Sequence, residues 1–149
     1  MKILDLGFSS PADNLACDET LLDESEALDG PEVLRFWQPK EYFVVLGYSN
    51  VREKEVRSSS RVPVLRRCSG GGTVLQGPGC LNYSLILRIV PGGATDTIHS
   101  TNNYVMERNR LALEKLLGRE VRVQGHTDLT VGDLKFSGNA QRRKRKRLL

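Results

Sequence analysis

Arg66-Arg67-Cys68-Ser69-Gly70-Gly71-Gly72-Thr73-Val74, running on through Leu75-Gln76-Gly77-Pro78-Gly79-Cys80 into Leu81-Asn82-Tyr83-Ser84, is the most informative stretch of this chain. Two arginines, a hydroxyl and three consecutive glycines stand between apolar runs. Glycine loses more backbone freedom on folding than any other residue. A simple turn does not need three of them. The run suits a backbone that approaches a ligand closely, with its N–H groups facing that ligand. Arg66 or Arg67 can then meet a phosphate or carboxylate with two parallel hydrogen bonds. A Gly-rich hairpin loop with solvated arginines has the same look, so the stretch alone leaves both readings open. It matches neither G-x-x-x-x-G-K-[ST] nor G-x-G-x-x-G, which excludes the P-loop and the dinucleotide fingerprint.

Downstream, Asp128-Leu129 precedes Lys135-Phe136-Ser137-Gly138-Asn139-Ala140-Gln141-Arg142. Together with Arg-Arg-x-Ser-Gly-Gly-Gly-x-Val and Leu-Asn-Tyr-Ser, these blocks resemble the lipoate–protein ligase A family. That family belongs to the wider group of biotin and lipoate protein ligases and octanoyltransferases. Asp13–Glu19 resembles the family's first helix, and the likeness spans nearly the whole chain. The resemblance implies an α+β fold of a mixed, largely antiparallel sheet with flanking helices, like the catalytic fold of class II aminoacyl-tRNA synthetases and biotin protein ligases.

The same resemblance implies an enzyme that makes lipoyl-adenylate from lipoate and ATP and passes the lipoyl group to a carrier-domain lysine. Lys135 would be the catalytic residue, its ammonium bridging the acyl carbonyl and the phosphate oxygens. Arg67, Ser69, Gly70, Gly71, Gly72, Asn82, Ser137, Gly138, Ala140 and Arg142 would bind substrate and adenylate. Asp128 would meet Mg²⁺, although Thr127 stands where the family usually has Asn. ATP and Mg²⁺ are the implied cosubstrate and ion, with no tightly bound cofactor. The implied partners are lipoate or octanoate and the lipoyl carrier domains of 2-oxoacid dehydrogenases or the glycine cleavage H protein.

Two other readings stay open. A lipoyl or octanoyltransferase would take a pre-activated acyl donor without ATP, with Cys68 or Cys80 as a thioester nucleophile. An inactive fragment, or a nucleic-acid-binding module, would use the basic run Arg142-Arg143-Lys144-Arg145-Lys146-Arg147. No interleaved aromatics accompany that run, which favours a solvated loop.

Composition bounds these readings. The 149 residues fit one domain, residues 1–149. No apolar run approaches the length of a membrane span. Asp5 interrupts the short apolar start, so no signal pattern is present. Three cysteines (Cys17, Cys68, Cys80) then fit reduced thiols in a cytoplasmic protein. The net charge is +4, but six of the 22 basic residues lie in 142–147, and the other 16 face 18 acidic ones. The chain stops soon after that run. The resemblance therefore implies a catalytic domain incomplete at its C-terminus, with a further C-terminal or accessory segment.

Along the chain, Ile3–Leu6 reads as a strand. Ser10 reads as the N-cap of a helix with Pro11 at its first position, closed by Gly30-Pro31. The acidic residues of that helix (Asp18, Glu19, Asp23, Glu24, Glu26) read as a solvated face. Val33–Gln38 and Tyr42–Leu46 read as strands, Asn50 as the cap of a short helix through Val56, and Val62–Leu65 as a strand. Leu81–Ile89 alternates with the period of a strand. Ile98, Val105, Ala112, Leu113 and Leu116 mark the stripe of a long helix ended by Gly118. Val121–Val123 begins a strand. Leu129–Val131 and Leu134–Phe136 read as a hairpin on a type II′ turn with Gly132 first.

Overall fold

The computed structural model describes residues 1–149. They form two compact units: Met1–Arg88 with Gln141–Leu149, and Ile89–Ala140.

In the first unit, Ser10 caps α1 (Pro11–Leu28) by accepting the Asp13 N–H, with Pro11 in the first turn. Asp29 ends the helix in the left-handed conformation at φ 50°. The four-stranded sheet runs β1 (Lys2–Asp5), β2 (Val33–Trp37), β6 (Asn82–Arg88), β10 (Arg147–Leu148). A second sheet has the order β4 (Val64–Arg66), β3 (Phe43–Leu46), β5 (Val74–Gln76). Only β1–β2 and β3–β4 pair in parallel, so antiparallel pairing dominates as expected. One apolar cluster joins Leu22, Val33 and Ile86, and another joins Trp37, Phe43 and Val45.

Three local readings change. The short helix α2 (Arg52–Glu55) begins after Val51, with no side-chain cap; Asn50 turns its side chain toward Gly47 instead. Residues 74–76, to which the sequence reading assigned no element, pair with β3 as β5. The acidic face of α1 is not simply solvated. The buried positions of α1 are Pro11, Asn14, Asp18, Leu22 and Ser25. These follow helical spacing, but most are polar, because buried Arg35 projects from β2 toward Asn14 and Asp18, and Ser25 bonds with Pro31 and Arg147.

Arg35 is fully buried on the same face as Val33 and Trp37. It donates to the Asp18 carboxylate at 2.6 Å, the Asn14 side chain at 2.7 Å, the Asn14 carbonyl at 3.0 Å and the Leu6 carbonyl at 2.9 Å. The Trp37 indole N–H donates to the other Asp18 oxygen at 3.2 Å. Burial pushes the Asp18 carboxyl upward, while hydrogen bonds from Ser84, Arg35 and Trp37 pull it back. A buried charge needs such partners, because stripping it of water costs several kcal/mol.

The second unit holds α3 (Ile98–Leu117) and the antiparallel sheet β7 (Arg122–Gln124), β8 (Asp128–Val131), β9 (Leu134–Gly138). Thr97 and Ser100 form a capping box, and Gly118 ends the helix at φ 62°. The inward stripe of α3 includes Thr101 and Met106, whereas Ile98 and Leu116 face solvent. The expected hairpin is present: Gly132 takes φ 57° and Asp133 stays at negative φ, as a type II′ turn requires.

Candidate active site

In the first unit the glycine-rich segment is held from behind by its own arginines. Arg67 Nε donates to Ser69 Oγ at 3.1 Å and to the Gly70 carbonyl at 3.1 Å. Its Nη2 donates to the carbonyls of Gly70 at 2.6 Å and Gly72 at 2.8 Å. A guanidinium fork suits this arrangement, since its donors lie in one fixed plane. Burial draws Arg67 below the usual arginine value, and it remains a cation. Arg67 thus spends Nε and Nη2 on the loop, leaving Nη1 for an anion.

Arg66 Nη1 reaches the carbonyls of Gly47, Tyr48 and Asn50 at 2.8–2.9 Å, and the Tyr48 N–H donates to the Ser69 carbonyl at 2.9 Å. Gly71 takes φ 84°, and its carbonyl lies where a Cβ on Gly47 would stand, so only glycine fits at 47. Around Gly70 and Gly72 the space is open. With the carbonyls turned to the arginines, the loop is fixed while its outer surface stays accessible.

Asn82 and Gln76 exchange amide hydrogen bonds at 2.8 and 2.7 Å, tying β5 to β6 across the turn that follows the loop. The Arg142 guanidinium lies 5.0 Å from the Tyr48 ring centre, so this arginine joins the loop cluster from the far end of the chain. Cys68 is half-buried. Burial first, and then the charges of Glu19 and Asp18 on α1, push its thiol up to about 11, with Arg142 opposing them. The protonated thiol is a weak nucleophile. An open groove of about 360 Å³ near Val44, Val56, Val74 and Leu75 contains none of the candidate residues.

In the second unit Lys135 lies on β9 and its ammonium meets the Asp128 carboxylate at 2.8 Å. A Cβ on Gly138 would come within 3.3 Å of both Lys135 Cε and Nζ. The Lys-x-x-Gly spacing therefore lets the lysine stem fold back over the strand and reach Asp128. Thr127 and Asn139 close the base of the hairpin. The Thr127 hydroxyl donates to the Asn139 carbonyl at 2.7 Å, and the Asn139 amide donates to the Thr127 carbonyl at 2.8 Å and to Ser137 Oγ at 3.3 Å. Ala140 is exposed beyond this clasp. No group of three or more His, Cys, Asp or Glu side chains gathers as a metal cage. Asp128 offers one carboxylate, which fits an ion carried in on phosphate oxygens and water.

Sequence reading singled out Arg67, Ser69, the glycines and Arg142, and they do lie in one unit, as Asp128, Lys135, Ser137 and Gly138 lie in the other. It missed Tyr48, Gly47 and Gln76. Gln76 is within the opening stretch, but nothing local marks it as the partner of Asn82.

Residues 10–149 match the lipoyl protein ligase A/B catalytic domain. The chain belongs to that family. An Aeropyrum pernix protein named for lipoate-protein ligase A is 34% identical over 137 residues, covering 88% of this chain and 48% of that relative. The chain thus spans about half the length of the curated relatives it matches. A solved bi-partite lipoate protein ligase from Thermoplasma acidophilum, studied with its E2 lipoyl domain, superposes with a TM-score of 0.82 at 24% identity, over 99% of this chain and 58% of that one. A crystal structure of lipoate-protein ligase A bound with ATP gives a TM-score of 0.78 at 25% identity, over 99% of this chain and 63% of that one. The expected fold and enzyme family thus hold. No helix is long and apolar enough to cross a membrane.

Proposed function

We propose that this domain activates lipoate with ATP and transfers the lipoyl group to a lysine of a lipoyl carrier domain. The lipoate carboxylate attacks the α-phosphorus of ATP, a phosphorus–oxygen bond breaks, and pyrophosphate leaves with the electron pair. The carrier amine then attacks the acyl carbonyl of the adenylate, AMP departs, and the amine proton passes to solvent. Free carboxylate is too poor an electrophile for the second step, which is why the first is needed.

The observation that carries this reading is Lys135, folded over Gly138 with its ammonium held by Asp128. A pre-positioned cation stabilises the charge that develops on carbonyl and phosphate oxygens without reorganising during reaction. The outer surface of the loop at 69–72 receives the acyl carboxyl and the phosphate, with Arg67 Nη1 and Arg142 adding charge. Asp128 would hold Mg²⁺, which neutralises phosphate charge when bound. Asn82 is the adenylate contact proposed on the first unit, and Ser137, Gly138 and Ala140 are those proposed on the second. The ATP-bound relative supports the cosubstrate. The E2 lipoyl domain named with the T. acidophilum ligase supports the carrier class, here the lipoyl domains of 2-oxoacid dehydrogenases or the glycine cleavage H protein. The three free thiols suit a reducing cytoplasm.

The high thiol value of Cys68 favours adenylate chemistry over a thioester. ATP–pyrophosphate exchange with lipoate and Mg²⁺ is the test. Exchange is expected in the wild type and in Cys68→Ser, and is lost in Lys135→Ala. ATP-independent acyl transfer that disappears in Cys68→Ser would reverse the reading.

A further inference from the structure

The basic run at 142–147, expected as a solvated loop, is built into the first unit. Arg142 and Leu149 exchange backbone hydrogen bonds at 2.8 Å, and the Lys144 N–H donates to the Arg147 carbonyl at 2.8 Å. Residues 142–149 are therefore a tight antiparallel turn whose return strand, β10, pairs with β6.

Glu26 of α1 holds the tip of that turn. Its carboxylate accepts the N–H of Arg145 at 3.2 Å, of Lys146 at 2.9 Å and of Arg147 at 2.9 Å. Three successive N–H groups converging on one anion make a nest, the arrangement that elsewhere captures phosphate. Here a side chain of the same protein fills it. Arg147 adds a second anchor: only 1% exposed, it donates to the Gly30 carbonyl at 2.6 Å, the Asp29 carboxylate at 2.8 Å and the Ser25 carbonyl at 3.2 Å. Lys144 pairs with Asp23. α1 and the two residues after it thus meet the like-charged run with acceptors at Asp23, Ser25, Glu26, Asp29 and Gly30, where self-repulsion would otherwise loosen it.

Arg142 begins this turn, and its guanidinium faces Tyr48, whose N–H is bonded to the loop residue Ser69. We infer that Glu26 is a positioning residue: by filling the nest at 145–147 it fixes the turn and so sets Arg142 beside the glycine loop. The phosphate role of Arg142 rests on the ligase reading above; the anchoring itself does not. Without Glu26 the tip of the turn loosens, and ordering the Arg142 side chain at the moment of binding weakens affinity by up to about tenfold.

The test uses the full chain in Glu26→Ala and Glu26→Gln, with Arg142→Ala and Tyr48→Leu as references. The position of Arg142 is read from the ring-current shift that Tyr48 imposes on its side-chain protons, and affinity from calorimetric titration with ATP. Glu26→Ala is expected to bring the Arg142 shift to its Tyr48→Leu value and to weaken ATP binding as far as Arg142→Ala does. Glu26→Gln, which keeps one acceptor but no charge, should fall between, and it carries the test if the alanine variant does not fold. Loss of the shift with unchanged ATP affinity would support the anchoring and overturn the phosphate role of Arg142. An intact Arg142 shift in folded Glu26 variants would overturn the inference.

Discussion

Gly138→Ala separates folding from chemistry. The new methyl would stand 3.3 Å from Lys135 Cε and Nζ and 3.6 Å from Asp128 Oδ1. Relaxed contacts between such atoms lie at about 3.5–4.0 Å, so the ammonium must shift by roughly half an ångström. The lysine is more than half exposed and its stem is flexible, so the shift costs the fold little. Gly138 does not adopt positive φ, and alanine there stabilises the fold by about 0.4–1 kcal/mol through the unfolded chain. The melting temperature should therefore hold steady or rise by about 1–4 °C. Catalysis has no such tolerance. A displacement of about 1 Å can cost a hundredfold in rate, so half of that suggests about tenfold, or about 1.4 kcal/mol. Thermal melts with pyrophosphate exchange on the same sample check both numbers. Lys135→Ala should make the glycine change silent when the two are combined. Unchanged exchange in Gly138→Ala, with Lys135→Ala inactive, would refute the claim that Gly138 sets the ammonium position.

The Cys68 thiol, raised to about 11, should stay protonated at neutral pH, with its iodoacetamide alkylation rate climbing about tenfold per pH unit from 8 towards 11. The same shift gives a stability contribution that is full below the unfolded thiol's value and lost as pH rises through about 11. A rate plateau by pH 9 in peptide-mapped samples would contradict both statements. Asp18→Asn leaves the buried Arg35 cation without its carboxylate and should destabilise the fold by about 3 kcal/mol, a fall of roughly 6–12 °C in Tm. Calorimetry showing a loss under about 2 °C would mean that the Asn14 and backbone acceptors suffice.

Where local chemistry decides structure, the sequence was readable. Ser10-Pro11 starts α1, Gly118 ends α3, and Gly132-Asp133 turns the hairpin, each through dihedral or capping preferences confined to a few residues. The glycine-rich loop and Lys135 stood out because their neighbours in sequence are also their neighbours in space. What failed were readings that rest on distant partners. Asp18 looked solvated because apolar periodicity cannot register an inward stripe that is polar, and its partner Arg35 lies 17 residues on. Arg35 in turn shares its strand face with Val33 and Trp37, where an arginine would not be placed without that carboxylate. The basic run looked like a solvated loop for the same reason, since Glu26 lies 121 residues before Arg147. β5 was missed because three exposed or half-exposed residues carry no pattern of their own and are strand only by pairing with β3.

The route of the chain has a consequence for its synthesis. The chain leaves the first unit after Arg88 and returns to it at Gln141. A ribosome adding about 5–20 residues per second therefore releases Glu26 roughly 6–24 seconds before Arg147 exists to meet it. β6 is complete at Arg88, so for the roughly 3–12 seconds that follow one of its edges has no neighbour, and an open edge invites another nascent chain. Arg147 and Leu148 thus join a sheet whose other three strands were made long before them, and the yield of folded protein depends on how well the waiting edge is shielded until they arrive.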